Sequence, residues 1–372
     1  MLNRTSPAPR AALAACPPYV QGKSAIAGME RPIKLSSNEC PFGPSPAAKA
    51  AYLEAVEQLH RYPDGSQQAL REALAQRFQL EPEQVIAGNG SEELILLALR
   101  AFVEPGDEVV LSQNGFVMTR IHALAQGAEV IEAEEADWRV SVDNILAAVT
   151  ERTKVVAIAN PNNPTGTYIS AAELRRLHAG LPSDVLLMID SAYGDYVVEP
   201  DYDSGIEIVR EASNAIMTRT FSKLYGLAGM RIGWAYGSPE VIAAIQRIRT
   251  PFNTNAPALA AATAALGDQR YGDWVRTHTI AWRGKMAAAL AELGTAVVPS
   301  VTNFLLLHFP AGSRLTSQRV ATHLLEQGII PRPLGVSGPN NCLRITVGTE
   351  EENLAFLAAV EACVRRELSP AE

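Results

Sequence analysis

From residue 85 onward the sequence alternates short, nearly uninterrupted apolar runs with longer amphipathic stretches, and this alternation constrains the fold more than any other feature. The runs Gln84–Ala87, Glu108–Leu111, Glu129–Ile131, Lys154–Ala159, Val185–Ile189, Ala215–Thr218 and Ile232–Ala235 are largely apolar or β-branched, most with little alternation of polar and apolar residues. Strands of that kind are buried on both faces, which calls for helices above and below and hence a mostly parallel sheet. The segments Glu92–Phe102, Met118–Gln126 and Ala171–His178 predict such helices, the first stopped by Pro105-Gly106 and the last by Gly180. Two long Ala-rich helical patterns, Ala256–Leu266 and Tyr271–Leu293, then break the alternation. Beyond them, strands at Thr302–Phe309, Ile329–Pro333 and Cys342–Val347 with helices at Gln318–Gln327 and Glu351–Glu367 read as a small α+β domain. The expected organisation is α/β: an N-terminal arm over 1–34, a large domain with a mostly parallel sheet over 35–262, and a smaller α+β domain over 263–372.

Composition narrows the function classes. The chain has 372 residues, 47% of them hydrophobic, with a formal net charge of −8 and no run of Lys and Arg, which argues against a nucleic-acid partner. No apolar stretch approaches the roughly 18 residues of a membrane-spanning helix. Cys16, Cys40, Cys342 and Cys363 are far apart and form no CxxC pair, so neither a disulfide framework nor a zinc site is expected, and the expected compartment is reducing and cytoplasmic. The six histidines are scattered without metal-ligand spacing, so no metal is expected. Leu13-Ala14-Ala15-Cys16 has the look of a lipoprotein cleavage site, but the apolar run before Cys16 is shorter than the roughly 7–15 residues of a secretory segment, so export is not expected.

In an open α/β sheet, ligands sit at the carboxyl ends of the strands, so the polar residues following each run carry the chemistry. Gly88-Asn89-Gly90-Ser91 precedes a helix and brings backbone N–H groups to one point, as a phosphate requires. Asn160-Pro161-Asn162-Asn163-Pro164-Thr165-Gly166 is a dense turn with amide side chains free to face the crevice. Asp190 closes an apolar strand, and Tyr193 follows it by three residues. Thr220, Ser222 and Lys223 follow the next strand, with Arg231 after a glycine-rich turn. A lysine at the end of a buried strand must be paired, titrate downward or be covalently modified. Pyridoxal 5′-phosphate (PLP) asks for this set: donors for its phosphate, a carboxylate for its pyridine nitrogen and an amine for its aldehyde.

These motifs, together with Pro18-Tyr19, Lys34-Leu35-Ser36-Ser37-Asn38-Glu39, Arg61-Tyr62-Pro63-Asp64 and Leu343-Arg344-Ile345-Thr346, resemble the fold-type I PLP aminotransferases, and among them the histidinol-phosphate aminotransferases, over nearly the whole chain. The resemblance implies that Lys223 carries PLP as a Schiff base, that Asp190 holds the pyridine nitrogen, and that Asn163 and Tyr193 bond the ring's 3-hydroxyl oxygen. It implies that Gly90, Ser91, Thr220, Ser222 and Arg231 hold the phosphate and that Phe116 stacks on the ring. It further implies a homodimer in which Tyr62 reaches the neighbour's cofactor phosphate. Tyr19, Asn163, Arg332 and Arg344 would meet the anionic groups of a small amino donor and a 2-oxo acid acceptor. The implied reaction is transamination between L-histidinol phosphate and 2-oxoglutarate in histidine biosynthesis, with an aromatic amino-acid aminotransferase or a PLP-dependent threonine-phosphate decarboxylase as alternatives. Three departures from the family pattern stand out: Cys40, Ser191, and Gln113-Asn114-Gly115 where an acidic and a histidine-like residue are expected before the stacking aromatic.

Overall fold

The computed structural model describes residues 7–335 and 338–368. A short strand, β1 (Ile33–Lys34), precedes a seven-stranded sheet of β2 (Val85–Gly88), β3 (Glu108–Ser112), β4 (Glu129–Ala133), β5 (Thr153–Ala159), β6 (Leu186–Asp190), β7 (Ala215–Thr220) and β8 (Gly233–Gly237). Its order is β2-β8-β7-β6-β5-β3-β4. The central strands are apolar throughout because both of their faces are covered. On β5, Val156 and Ile158 pack into one core with Leu174, Leu187 and Met217. Val155 and Ala157 pack into the opposite core with Leu94, Ile95 and Leu186. Only β4, at the edge, is half exposed, and it carries Glu129 and Glu132 there.

The sheet is mostly parallel, as the sequence predicts; β8 alone runs against both of its neighbours. A parallel return needs a crossover of a dozen or more residues, usually a helix. Between Thr220 and Gly233 there is only a short 3₁₀ turn, Ala228–Met230, so the chain folds straight back. The helix Ser91–Phe102 shows why these segments become helices: Glu92 and Glu93 lie in its first turn, Arg100 in its last, and Leu94, Ile95, Ala98 and Leu99 bury one face.

After the helices Ala256–Gly267 and Gln269–Glu292 come β9 (Ala296–Val298), β10 (Phe304–His308), β11 (Ile329–Ile330), β12 (Arg332–Pro333) and β13 (Cys342–Thr346). Four of these form an antiparallel sheet in the order β12-β13-β10-β9. The sequence predicted one strand over Ile329–Pro333; the structure has two, in different sheets. Pro331 has no N–H to continue a ladder, so β11 pairs with β1 while β12 turns to β13. A second apolar core forms here from Trp282, Met286, Leu305, Leu307, Ile345 and Phe356, and Leu35 inserts into it from the other end of the chain.

Candidate active site

The carboxyl ends of β5, β6 and β7 converge on a cavity of about 300 Å³. One wall is a cup for an anion. Gly90 caps the helix Ser91–Phe102 at φ 86°, and a Cβ there would lie 2.7 Å from Arg231 Nη2. Glycine is therefore what lets the guanidinium reach the helix N-terminus. A Cβ on Gly233 would lie 2.3 Å from Ser91 N, so β8 can run past that terminus only as glycine. Thr220 Oγ1 donates to Ser222 Oγ (3.0 Å) and accepts from Ser222 N–H (3.1 Å), which turns both hydroxyls to the same side. A helix N-terminus, two hydroxyls and an arginine together suit a phosphate.

Asp190 ends β6 and is 9% exposed. Its Oδ1 accepts from Thr218 Oγ1 at 2.9 Å. Burial pushes its pKa up to about 6, partly offset by the hydrogen bonds from Thr218 and the Ala192 backbone and by the charge of Lys223. A buried carboxyl of this kind is relieved by a neighbour that brings a positive proton, as a protonated pyridine nitrogen does. Lys223 Nζ lies 5.6 Å from the centroid of the Tyr193 ring and donates to Ser37 O at 3.4 Å. The Tyr193 hydroxyl accepts from Asn38 Nδ2 at 2.7 Å. Phe116, at the start of the helix Val117–Gln126, lines the same cavity.

The opposite wall comes from the smaller sheet. Arg332 on β12 and Arg344 on β13 are direct cross-strand partners. Arg344 Nη1 donates to Asn163 Oδ1 at 2.6 Å and Nη2 to Ser36 O at 3.0 Å. Among the described residues its buried Nε has no partner, and burial lowers its pKa. An orphan guanidinium donor in a cavity is a fit for a substrate anion. Arg332 Nη2 donates to Val20 O at 2.8 Å, and its guanidinium carbon lies 5.8 Å from the Tyr19 ring centroid.

Tyr19, Ser91, Phe116, Asn163, Asp190, Tyr193, Thr220, Ser222, Lys223, Arg231, Arg332 and Arg344 thus share one cavity, with Gly90 directly behind Arg231. Tyr62 does not join them. It is 83% exposed and stacks on Phe252, with ring centroids 4.7 Å apart.

Sequence reasoning assigned no role to the segment Leu35–Asn38, which ties both walls together. Leu35 N donates to Ile330 O (3.0 Å) and Leu35 O accepts from Thr346 N (2.9 Å). Ser36 O then meets Arg344, Ser37 O meets Lys223, and Asn38 meets Tyr193. Asn38 has φ 54°, a conformation that asparagine tolerates better than most residues.

Two of the sequence departures have structural explanations. Ser191 donates to Ser204 O at 2.7 Å or Asn160 O at 2.8 Å, so a hydroxyl fills a buried position next to Asp190. Asn114 Nδ2 donates to Glu135 Oε2 at 2.9 Å, and Ser112 and Asn162 both donate to Oε1. A carboxylate thus stands near Phe116 after all, delivered from the segment after β4, with burial raising its pKa.

The pattern for aminotransferases of class I and II matches residues 30–360. A histidinol-phosphate aminotransferase from Paramagnetospirillum magneticum is 48% identical over 360 residues, covering 97% of this chain and 99% of its own. One from Rhodopseudomonas palustris is 45% identical, covering 95% and 97%. The crystal structure of histidinol-phosphate aminotransferase from Sinorhizobium meliloti in complex with pyridoxal-5′-phosphate superposes with a TM-score of 0.84 at 31% identity, covering 92% of each chain. The chain belongs to the class I and II aminotransferases, with the fold-type I architecture and in the group that holds the histidinol-phosphate aminotransferases.

Proposed function

We propose that this protein binds PLP and transfers the amino group of L-histidinol phosphate to 2-oxoglutarate, a step of histidine biosynthesis. The observation that carries this reading is the pairing, in one cavity, of a lysine, a buried carboxyl and an anion cup with two cross-strand arginines. PLP supplies an aldehyde that condenses with amines and a ring that stores the electron pair released at Cα. The rest is the work of this chain. Gly90, Ser91, Thr220, Ser222 and Arg231 would hold the phosphate, Phe116 would pack on the ring, and Asp190 would keep the ring nitrogen protonated. Asn163 and Tyr193 bond the 3-oxygen. Lys223 would take and return the proton at the substrate's Cα, a transfer worth about 10²–10⁴-fold. Arg344, Arg332, Tyr19 and Asn163 orient the substrate through its anion, and a guanidinium serves both a phosphomonoester and a carboxylate. The test compares kcat/KM for histidinol phosphate and phenylalanine with 2-oxoglutarate as acceptor. Preference for the phosphate-free donor would overturn the substrate assignment.

Asp190 makes the cofactor-stripped protein sensitive to pH. Its carboxyl titrates near 6 when folded and near 3.9 when unfolded. Below the lower value both states are protonated and the group is neutral in its effect. As pH rises the unfolded chain loses its proton first, so stability falls until the folded group has also ionised. The loss is about 2–3 kcal/mol. Stripped Asp190→Asn protein therefore melts above the stripped wild type at pH 8, and the two converge near pH 4; parallel thermal melts check this.

We further infer a cytoplasmic homodimer. Tyr52, Leu53, Leu59, Tyr62 and Phe252 are large apolar side chains left exposed, four of them on one short stretch, and such a patch suits a subunit interface. Across it Tyr62 reaches the partner's cofactor phosphate. Tyr62→Phe is expected to weaken PLP retention about 10-fold through loss of one charge-assisted hydrogen bond. Sedimentation and cofactor titration check both points, and a monomeric holoenzyme would sink the interface. The cytoplasmic assignment draws on the four free cysteines and is checked by cell fractionation.

A further inference from the structure

Asn38 is 1% exposed and sits at the centre of a directed set of hydrogen bonds. Its backbone N–H donates to Thr346 Oγ1 at 2.9 Å. The Thr346 hydroxyl in turn donates to Asn38 Oδ1 at 3.2 Å. Asn38 Nδ2 donates to the Tyr193 hydroxyl oxygen at 2.7 Å, and Asn38 O accepts from Asn303 Nδ2 at 3.0 Å.

The partners give the set a direction. The Thr346 hydroxyl accepts from the Asn38 N–H and gives its one proton to Asn38 Oδ1. The amide oxygen thus faces Thr346 and its nitrogen Tyr193; the opposite orientation would leave the Thr346 proton without an acceptor among these groups. The phenol oxygen therefore receives a proton from Asn38, and its own proton must point elsewhere. The side of Tyr193 that is open is the cavity, where Lys223 Nζ lies. A hydroxyl that accepts one hydrogen bond is also a stronger donor through its own proton.

We propose that Asn38 is a positioning residue: by donating to Tyr193 it commits the Tyr193 hydroxyl proton to the cofactor's 3-oxygen beside Lys223. This rests on the PLP reading above. The chain begins at Thr346, two residues from Arg344 on β13, so the strand that binds the substrate anion also sets the orientation of the phenol. A donor to the 3-oxygen loosens the proton shared between that oxygen and Lys223 Nζ. Its loss tightens that proton and raises the pH at which it leaves.

The test is a pH titration of the visible absorption of the holoenzyme. Asn38→Ala and Tyr193→Phe are each expected to raise the midpoint by about half a pH unit or more. In the Tyr193→Phe background, Asn38→Ala adds no further shift. The cavity's charged groups, Glu39, Glu92, Asp190, Lys223, Arg231, Arg332 and Arg344, are the same in Asn38→Ala, Tyr193→Phe and the double variant. An unchanged midpoint in Asn38→Ala, or an equal Asn38→Ala shift with and without the Tyr193 hydroxyl, overturns the proposal. A pH-dependent band that survives Lys223→Ala would instead overturn the assignment of Lys223.

Discussion

Changing Lys223 to alanine lowers kcat by about 10²–10⁴-fold, while one PLP per chain stays bound. The two halves of this expectation have separate causes. Lys223 is the amine that follows β7 in the cavity and, in the proposed reaction, the group that would move the proton at Cα, so without it no positioned base remains. The proposed phosphate cup of Ser91, Thr220, Ser222 and Arg231 and the carboxyl of Asp190 are untouched, so the cofactor would keep its noncovalent anchors. Steady-state rates and absorbance of the dialysed variant measure both halves. Near-normal transamination would end the assignment.

Changing Arg344 to alanine lowers kcat/KM for the anionic substrate by roughly 10²–10³-fold, mostly through KM. The guanidinium does more than carry charge. It holds Asn163 at 2.6 Å, so its loss also frees the amide assigned to the cofactor's 3-oxygen, and a smaller fall in kcat accompanies the rise in KM. Arg344→Lys keeps the charge but not the fork, and it recovers only part of the loss. Equal kcat/KM for Arg344→Ala and wild type would remove this arginine from the substrate site.

Those two residues were legible in the sequence for different reasons. Lys223, Asp190 and Asn163 follow strands whose unbroken apolar character reveals double burial, and a polar residue at the end of such a strand has only the crevice to face. Arg344 sits inside a strand of the smaller sheet, and only the resemblance singled it out. The orientation of β8 was not legible, because apolar content reports burial and not direction. The split at Pro331 was visible as a proline but was read through. Glu135 was missed because it approaches Phe116 from the segment after β4, a neighbourhood made by tertiary packing. Asn38 was missed for the same reason: its partners Thr346 and Tyr193 are 308 and 155 residues away.

The segment Leu35–Asn38 has a consequence for how this chain can vary. Irregular segments usually accept insertions and deletions more readily than strands or helices do. Here four successive residues are committed in turn to β11 and β13, Arg344, Lys223 and Tyr193. Adding or removing one residue would leave Leu35 seated while carrying Asn38 off its phenol. This stretch follows β1 and has no regular secondary structure of its own, yet its length is held as tightly as that of a buried strand.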